Sequence, residues 1–350
     1  MMIMRKILAM LLACGMMCGM LAGCGGDNGG SGDNGGAAAD AGNAGDGSSK
    51  DGYSMTLIMS LRDEFLSSLE SGAKAAADQL GVNLASQDAQ NDTNKLLQYI
   101  ESAKNAGDDA VLVNLVDAET AKQCIEAAGD MKVVFVNRAP GDTSILDGTQ
   151  SAFVGSDEMT SGGYQGQFLA DYFNAKGQKD VRYILLQGTL GLVHTEQRSL
   201  SVIEQMKAGG LNPIEASAPL VADYDRANAM DMISPLLNTT DFDCIIANND
   251  AMAMGAVEAM LAQNMDPSSI PIVGIDATVD GLQAVIDGTL AMTVFQDPNG
   301  QGYGGLMAAV NMIEGKPIND GTDYETDESG NIVWVPFEPV TPDVAPDYQK

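Results

Sequence analysis

The stretch DCIIANNDAMAMG, residues 243–255, decides the fold class of this chain. Cys244–Ala247 is a short apolar run with two adjacent isoleucines, which is typical of a strand buried on both faces. Asn248, Asn249 and Asp250 follow at once, and a helical pattern of small residues comes next. The polar triplet is therefore predicted at the carboxyl end of a parallel strand, the edge where ligands bind in open α/β sheets. The alternative is that Asp250 only caps the helix and the asparagines only turn the chain.

The first 24 residues are predicted to be a targeting segment. Arg5 and Lys6 precede an apolar run, Ile7–Leu21, that is too short to span a bilayer comfortably. The run ends in Leu-Ala-Gly-Cys24, which resembles the lipobox of bacterial lipoproteins and implies a lipid on Cys24. An ordinary signal peptide with a chance cysteine is the alternative. We therefore expect an extracytoplasmic protein anchored to the cell membrane.

Residues 25–52 consist almost wholly of Gly, Asp, Asn, Ala and Ser, so they are predicted to form a flexible tether. The whole chain carries a formal net charge of −30 with only 18 Lys and Arg residues. No basic stripe occurs, which argues against nucleic acid as a partner. Beyond the targeting segment, Cys124 and Cys244 are predicted to be buried small apolar residues. A disulfide between them is the alternative.

Strand-like and helix-like patterns alternate along residues 53–350, which predicts parallel sheets covered by helices on both faces. Ten predicted strands fall into two series, so we expect an α/β protein of two doubly wound parallel-sheet lobes joined by hinge strands. The predicted lobes are residues 53–155 plus 298–332 and residues 156–297 plus 333–350. Crossings between them are predicted near Ser156–Asp157, Gln296–Pro298 and Asn331–Val335.

The predicted helices include Glu64–Leu80, Gly162–Asn174 and Gly302–Glu314. Gly300–Gly305 satisfies the G-x-G-x-x-G pattern of dinucleotide sites, but four residues separate it from the preceding predicted strand. Small residues that allow close packing at the start of a helix are the favoured explanation.

Polar and aromatic residues recur where predicted strands end: Asp63, Phe65, Asn137, Arg138, Asn249, Asp276 and Gln296. Two lobes whose strand ends face each other enclose a cleft, and clefts between domains are favoured ligand sites. The sequence therefore predicts a polar binding cleft between the lobes.

Five stretches carry a family resemblance: IIANNDAMAMGAVEAM, LASQDAQND, LVNLVDAETA, VVFVNRAP and PIVGIDATVDGLQAVIDGTL. They resemble the type I solute-binding proteins of sugar ABC importers, especially the galactose/glucose-binding and ribose-binding periplasmic proteins. The resemblance covers essentially all of residues 53–350. It implies a periplasmic binding protein-like fold of type I, a monosaccharide ligand such as an aldohexose or aldopentose, and delivery to an importer permease.

The resemblance also implies ligand contacts, matched residue by residue: Asp63, Phe65, Asn137, Arg138, His194, Arg198, Tyr224, Asn249, Asp276 and Gln296. Phe65 and Tyr224 match the two opposing aromatic residues of the family. Asn137 follows the galactose/glucose class, whereas Arg138 and Gln296 follow the ribose class. His194 occupies a place where galactose/glucose binders have aspartate. Asp63 as a plain helix cap, Arg138 as a surface or hinge-proximal ion-pair residue and His194 as a loop residue remain alternatives.

The chemistry of a sugar fits these residue types independently. A pyranose has hydroxyls that donate and accept, and apolar C–H patches on its faces. Planar side chains of Asn, Asp, Arg and Gln can each engage two neighbouring hydroxyls, and aromatic rings can cover the faces. The calcium loop of the galactose/glucose class has no counterpart, because residues 174–180 are too few and too basic. We expect no metal and no cofactor.

Two other functions remain open. A lipoprotein that presents its sugar to a chemoreceptor or sensor kinase would share every site residue. An enzyme such as a glycosidase with paired carboxylates is the less favoured alternative, since Asp63 and Asp276 could face each other across the cleft. The favoured hypothesis is a monomeric, non-enzymatic binding protein of an ABC importer.

Substitution of the lipobox cysteine tests the predicted anchor. Cys24→Ala should release the protein from the membrane fraction without harming its fold, because the folded part begins about thirty residues later. Fractionation followed by immunoblotting measures the release. A Cys24→Ala protein that stays fully membrane-bound and acylated would contradict the lipobox interpretation.

Overall fold

The structure is a computed structural model that describes residues 52–349. The predicted targeting segment and Cys24 lie outside the described residues, as does the predicted tether except for Gly52.

Fourteen strands occur in residues 52–349: β1 (Ser54–Met59), β2 (Asn83–Asp88), β3 (Ala110–Val113), β4 (Lys132–Val136), β5 (Ser151–Gly155), β6 (Asp180–Gln187), β7 (Asn212–Glu215), β8 (Leu220–Val221), β9 (Cys244–Ala247), β10 (Ile272–Val273), β11 (Thr293–Gln296), β12 (Glu325–Thr326), β13 (Ile332–Trp334) and β14 (Phe337–Val340). The same residues contain nine α-helices: α1 (Glu64–Leu80), α2 (Thr93–Ala106), α3 (Ala121–Ala128), α4 (Glu158–Ala175), α5 (Val193–Ala208), α6 (Arg226–Ile233), α7 (Asp250–Ala262), α8 (Val279–Asp287) and α9 (Pro298–Glu314).

The first sheet has the strand order β2-β1-β3-β4-β5-β13-β12. All its neighbours are parallel except the edge strand β12, which is antiparallel to β13. The chain reverses its direction of winding between β1 and β3, so the sheet is doubly wound. We call the part of the protein built on this sheet the first lobe.

The second sheet has the strand order β7-β6-β9-β10, with β8 also pairing with β6. Two parallel bridges, Val273 to Met292 and Asp276 to Phe295, bring β11 beside β10, and β14 then pairs with β11 in the antiparallel sense. This is the same winding order as in the first sheet. The part built on it is called the second lobe, and the predicted α/β fold with doubly wound parallel sheets is confirmed.

Each sheet is covered by helices on both faces, because successive strand residues point to opposite sides. In the first lobe, Leu57 and Leu112 pack with α1 and α9, whereas Ile58 and Val113 pack with α2 and α3. In the second lobe, α6, α7 and α8 cover one face, and α4 and α5 cover the other. Cys124 and Cys244 are buried and free, so no disulfide joins them.

The chain passes between the lobes three times: between β5 and α4, between β11 and α9, and between β13 and β14. Asp157 and Asp297 cap the helices that follow the first two crossings, with Met159 N and Gly300 N as their donors. The predicted end of the first lobe, residue 332, falls within β13. Backbone pairing of β13 with β5 keeps Val333 and Trp334 in the first sheet.

Capping explains where the predicted helices were right or wrong. Helix α1 has the predicted bounds because Asp63 caps its start and Gly81 ends it in the left-handed conformation. Helix α4 begins at Glu158, four residues before the predicted start, and α9 begins at Pro298 rather than Gly302. The glycines at the start of α9 belong to the helix, where they allow close packing.

Gly302 and Gly163 form a matched pair of helical glycines that tests this packing. A Cβ atom on Gly302 would lie 2.6 Å from Ala73 N and 2.8 Å from Leu69 O of α1, whereas one on Gly163 would meet nothing within 4 Å. Gly302→Ala should lower the free energy of unfolding by about 1–3 kcal/mol, because the helices must separate. Gly163→Ala should raise it by about 0.5–1 kcal/mol. Urea unfolding measures both, and a stabilising Gly302→Ala would refute the close contact.

Candidate ligand-binding site

A cavity with about 330 Å³ of space lies between the lobes, at the carboxyl ends of strands from both sheets. Its wall is formed by Asp63, Phe65, Leu66, Asn137, Arg138, His194, Arg198, Tyr224, Asn249, Asp276 and Gln296. The structure thus brings all ten side chains selected from the sequence to one cavity, and it adds Leu66.

The first-lobe part of the wall begins at the start of α1. Asp63 caps this helix, since its Oδ1 accepts a hydrogen bond from Leu66 N at 2.7 Å. Burial raises the pKa of Asp63, while the bond from Leu66 and the positive charge of Arg138 act in the opposite direction. Phe65 lies half-buried in the first helical turn. Asp63 therefore caps the helix and lines the cavity at once.

Asn137 follows β4 directly and is held by amide side chains on both sides. Its Oδ1 accepts from Asn114 Nδ2 at 3.2 Å, and its Nδ2 donates to Gln301 Oε1 at 3.1 Å. Gln301 in turn donates through Nε2 to Ser156 Oγ at 2.9 Å. This chain of hydrogen bonds fixes the orientation of the Asn137 amide and connects it to the first crossing between the lobes.

Arg138 is buried, with 6% of its surface exposed. Its Nη1 donates to the carbonyl oxygen of Leu115 at 3.0 Å. Within residues 52–349, Arg138 forms no ion pair with a carboxylate at 4 Å or less. Burial lowers the pKa of Arg138, and the negative charge of Asp63 opposes this. The alternative of a surface or ion-pair residue does not fit, because Arg138 is a buried cation that lines the cavity.

Arg198 forms the central charged contact of the second-lobe wall. Its Nε donates to Glu158 Oε2 at 2.6 Å and its Nη2 to Glu158 Oε1 at 3.1 Å, in a bidentate pair. Nη1 donates to the Asn248 carbonyl oxygen at 2.8 Å. Burial alone would lower the pKa of Arg198, but the carboxylates of Glu158 and Asp276 outweigh it and leave the pKa raised. Arg198 is therefore a fixed cation.

Asp276 follows β10, and its carboxylate lies 3.8 Å from Arg198 Nη1. Burial raises the pKa of Asp276 well above its usual range, and the neighbouring carboxylates of Asp250, Asp63 and Glu158 add to this. The charge of Arg198 acts in the opposite direction. The raised pKa makes this carboxyl group easier to protonate than a free one, so it can serve hydroxyl groups as acceptor or donor.

His194 and Tyr224 stack against each other, with ring centroids 5.2 Å apart and an angle of 26° between the rings. The Tyr224 hydroxyl shares a hydrogen bond of 2.7 Å with Thr195 Oγ1. A Cβ atom on Gly188 would lie 2.0 Å from the Tyr224 ring, so only glycine leaves room for it. Burial, followed by the charges of Arg198 and Arg138, lowers the pKa of His194 well below its usual value. The imidazole is therefore neutral at neutral pH.

The residue that caps helix α7 differs from the one considered in the sequence. Asn249, and not Asp250, caps helix α7, because its Oδ1 accepts from Met252 N at 3.0 Å. The Asp250 carboxylate instead accepts from Thr293 Oγ1 at 2.6 Å and from Thr278 N at 2.9 Å. Burial raises the pKa of Asp250 to about 7. Asp250 thus joins α7 to β11 and to the start of α8, and Asn249 lines the cavity.

Gln296 is the last residue of β11. The oxygen of its side-chain amide has a hydrogen-bond partner, and the nitrogen has none among residues 52–349. Its Oε1 accepts from Arg198 Nη2 at 3.3 Å. Its Nε2 is buried and has no hydrogen-bond partner among residues 52–349. A buried donor without a partner costs about 1–3 kcal/mol. The position of this donor in the cavity wall suits an acceptor on a ligand.

Three residues of the cavity wall have a positive φ angle. Asn137, Tyr224 and Asp276 have φ angles of 65°, 62° and 118°, a region that non-glycine residues rarely adopt. Such conformations cost about 1–3 kcal/mol each and tend to occur at functional sites. All three side chains line the cavity.

Sequence reasoning missed the residues that hold the cavity wall in place. Glu158 fixes Arg198, and Asn114 and Gln301 fix Asn137. Glu158 is 40 positions away from Arg198, and no sequence pattern connects the two. The only sequence feature next to Glu158 is Asp157, which caps the helix that begins at Glu158.

Neither a metal site nor a membrane span is found in the described part of the chain. Residues 52–349 contain no cluster of three or more His, Cys, Asp or Glu side chains arranged to hold a metal ion. None of their helices combines the length and the apolar character needed to cross a bilayer.

Two doubly wound lobes around a polar cavity define a solute-binding protein. Residues 56–317 match the periplasmic binding protein domain family, which is most of the chain, and the chain belongs to this family. The family is extracytoplasmic, and its members related to this chain are binding proteins for transport and not enzymes. The glycosidase alternative is thereby set aside.

Relatives of known name share most of the chain. A Rhizobium meliloti protein described as rhizopine-binding is 32% identical over 283 residues, 80% of this chain and 86% of its own length. The D-galactose/methyl-galactoside binding periplasmic protein of Haemophilus influenzae is 32% identical over 284 residues, 77% of this chain and 83% of its own. An ABC transporter solute-binding protein from Bacillus halodurans, solved with bound myo-inositol, is 28% identical with a TM-score of 0.73, and covers 86% of this chain and 99% of its own.

Glu158 and Glu258 allow a matched test of the buried ion pair. Glu158→Gln should lower the free energy of unfolding by about 3–5 kcal/mol, because it leaves Arg198 as a buried cation without its carboxylate partner. Glu258 pairs with Arg226 at 2.8 Å, with side chains 41% and 35% exposed. Glu258→Gln should change the free energy of unfolding by less than about 1 kcal/mol. Urea unfolding compares the two, and equal small effects would contradict the importance of the Arg198–Glu158 pair.

Proposed function

We propose that this protein is an extracytoplasmic solute-binding lipoprotein that binds a monosaccharide between its lobes and delivers it to an ABC importer. The ten cavity side chains that the sequence resemblance selected are the proposed ligand contacts. The observation that carries the proposal is their arrangement, since Asp63, Asn137 and Arg138 come from one lobe and the remaining polar groups from the other. A solute held by both sets favours the arrangement in which the lobes are together.

The chemistry of the wall supports a neutral polyhydroxylated ligand. Asn249 and Gln296 offer amides, Asp63 and Asp276 offer carboxyl groups, and Arg198 offers a guanidinium group, all of them planar. Each such group can engage two neighbouring hydroxyls. Hydrogen bonds to charged groups contribute about 1.5–3 kcal/mol each, so a few of them account for micromolar binding.

The stacked Tyr224 and His194 rings and the half-buried Phe65 provide apolar surface on opposite lobes. Aromatic rings bury C–H surface with little loss of side-chain entropy. We assign Phe65 and Tyr224 to the two faces of a sugar ring and the polar groups to its edge. The neutral state of His194 adds a polar contact without adding a charge.

The ligand is an aldohexose such as glucose or galactose, or an aldopentose such as ribose or xylose. The relatives named for D-galactose and for ribose support these two classes of sugar. A cyclitol is a second candidate, because the Bacillus halodurans structure that resembles this fold holds myo-inositol. A cyclitol presents a full ring of hydroxyls and has no anomeric centre, so a panel that includes both classes separates them.

In this proposal a lipid on Cys24 anchors the protein, as a monomer, near its permease. Presentation of the sugar to a chemoreceptor or sensor kinase would use the same site. Capture of the membrane partner by the sugar-loaded protein distinguishes the two. Co-purification with a permease supports transport, and co-purification with a receptor or kinase alone supports sensing.

Asp276 and Asp280 provide the decisive binding test. Asp276→Ala should weaken binding of the preferred sugar by at least about thirtyfold, or roughly 2 kcal/mol, through loss of a buried hydrogen-bond partner. Asp280 is 55% exposed in its pair with Arg226 and does not line the cavity, so Asp280→Ala should leave the affinity unchanged.

Calorimetry on the folded variants measures both affinities, after a thermal-shift panel of D-glucose, D-galactose, D-ribose, D-xylose and myo-inositol has identified the preferred ligand. An unaltered dissociation constant for Asp276→Ala would refute the site. A panel in which no compound shifts the melting temperature would refute the choice of ligand class.

A further inference from the structure

The third crossing between the lobes ends at a buried aromatic residue. Val335 belongs to the core of the first lobe, and its N–H donates to the carbonyl oxygen of Gly155 at 2.8 Å. Phe337 begins β14 and belongs to the core of the second lobe, with 5% of its surface exposed. Only Pro336 separates the two residues. The position of the Phe337 ring is therefore fixed where the chain enters the second lobe.

The Phe337 ring lies against the guanidinium group of Arg198. The Cζ atom of Arg198 lies over the face of the ring, 5.9 Å from its centroid. A cation within about 6 Å of the centroid is attracted by the negative face of an aromatic ring, and more strongly where water is excluded. Arg198 is buried, and β14 pairs with β11 so that Phe337 lies opposite Gln296. The ring and the Gln296 amide therefore meet the same cation.

Arg198 thereby receives one contact from each of the three crossings. Glu158 follows the first crossing, Gln296 precedes the second and Phe337 follows the third. The contacts with Glu158 and Gln296 are hydrogen bonds made by the N–H groups of the guanidinium. The contact with Phe337 uses no N–H group, so it can restrict the orientation of the cation without occupying a donor that a solute could use.

The hydrogen bonds of Arg198 leave one N–H group of its guanidinium for a solute. Nε donates to Glu158, Nη2 donates to Glu158 and Gln296, and Nη1 donates to the carbonyl oxygen of Asn248. Asp276 lies 3.8 Å from Nη1, which is beyond hydrogen-bond distance. The second N–H of Nη1 is therefore the remaining donor. Because the guanidinium is a rigid planar group, its orientation sets the direction of this donor.

We propose that Phe337 is a positioning residue for ligand binding, because its ring holds the Arg198 guanidinium in the orientation that presents the remaining N–H to the solute. The inference rests on the proposed function, since it needs a solute in the cavity. Phe337 is not part of the cavity wall, so it acts through Arg198. A side chain that is already held in place loses less freedom when the solute binds, which increases the affinity.

Phe173 provides a matched control in the same core. It lies in α4, is 3% exposed, and its ring meets Tyr172 edge to face with centroids 5.0 Å apart. Phe337→Leu and Phe173→Leu should both lower the free energy of unfolding, because each leaves space in the core. Only Phe337→Leu should also weaken binding of the preferred sugar, by about fivefold or more. A purely structural role of Phe337 predicts an unaltered affinity for the folded variant.

Fluorination of the ring tests the contact with Arg198 without removing the side chain. Phenylalanine with one, two or three ring fluorines replaces Phe337 in one series and Phe173 in the other. Each fluorine withdraws negative charge from the face of the ring, which weakens its attraction for a cation. The dissociation constant of the preferred sugar, measured by calorimetry, should rise stepwise in the Phe337 series, to about fivefold with three fluorines. It should stay within about twofold in the Phe173 series.

Failure of the inference and failure of the proposed function give different results. The unmodified protein is first tested with D-glucose, D-galactose, D-ribose, D-xylose and myo-inositol. If one of them binds and the fluorinated Phe337 series changes its dissociation constant by less than about twofold, Phe337 is a core residue only and the proposed function stands. The same conclusion follows if the Phe173 series weakens binding equally. If no compound binds, the proposed function fails and the inference fails with it. The fluorinated series decides the question even if Phe337→Leu does not fold.

Discussion

The buried ion pair of Arg198 and Glu158 is the interaction on which the second-lobe wall of the cavity depends. Its guanidinium group joins α5 to the start of α4 through Glu158 and to the ends of β9 and β11 through Asn248 and Gln296. Removing two charges from water is costly, and only bidentate geometry with further hydrogen bonds offsets that cost. Arg198 satisfies this condition, so the cation can face the cavity in one fixed orientation.

The same ion pair also fixes two of the crossing segments to the second lobe. Glu158 stands just after the first crossing and Gln296 just before the second, so Arg198 attaches both to the second lobe. On the other side, Gln301 bonds Ser156 and Asn137 and attaches the crossings to the first lobe. Asp157 and Asp297, which cap the two following helices, lie between these attachments. We therefore propose the segments around these two aspartates as the places where the chain bends between the lobes.

The sequence could predict those parts of the fold whose signals are local. Buried strands such as β9 are continuous apolar runs that end at polar residues, and α1 has a cap at one end and a glycine at the other, so both were predicted with the observed bounds. The edge strands β8, β12 and β14 were missed, because β8 and β12 have only two residues each and only two of the four residues of β14 are buried. The start of α9 was missed because a run of glycines is typical of a loop until a neighbouring helix is known to need the space.

The residues of the candidate site also divide into those with a local sequence signal and those without one. Residues at strand ends, such as Asn137, Asn249 and Asp276, could be selected because parallel strands bring their carboxyl ends to one edge. Glu158 could not be selected, since its importance arises only from its contact with Arg198. The positive φ angles of Asn137 and Asp276 could not be predicted either. Asparagine and aspartate tolerate this conformation, so no glycine in the sequence indicates it.

The buried Gln296 donor bears on the proposed coupling between a solute and the approach of the lobes. Because Gln296 Nε2 has no hydrogen-bond partner among residues 52–349, its burial opposes the arrangement in which both lobes line the cavity. A hydroxyl oxygen that accepts from Gln296 removes this cost, while Arg198 holds the other end of the amide. The differential free energy between the two arrangements then depends on the ligand, which is the condition for a ligand to shift their populations. A wall in which every polar group had a protein partner would be more stable and would respond less to a ligand.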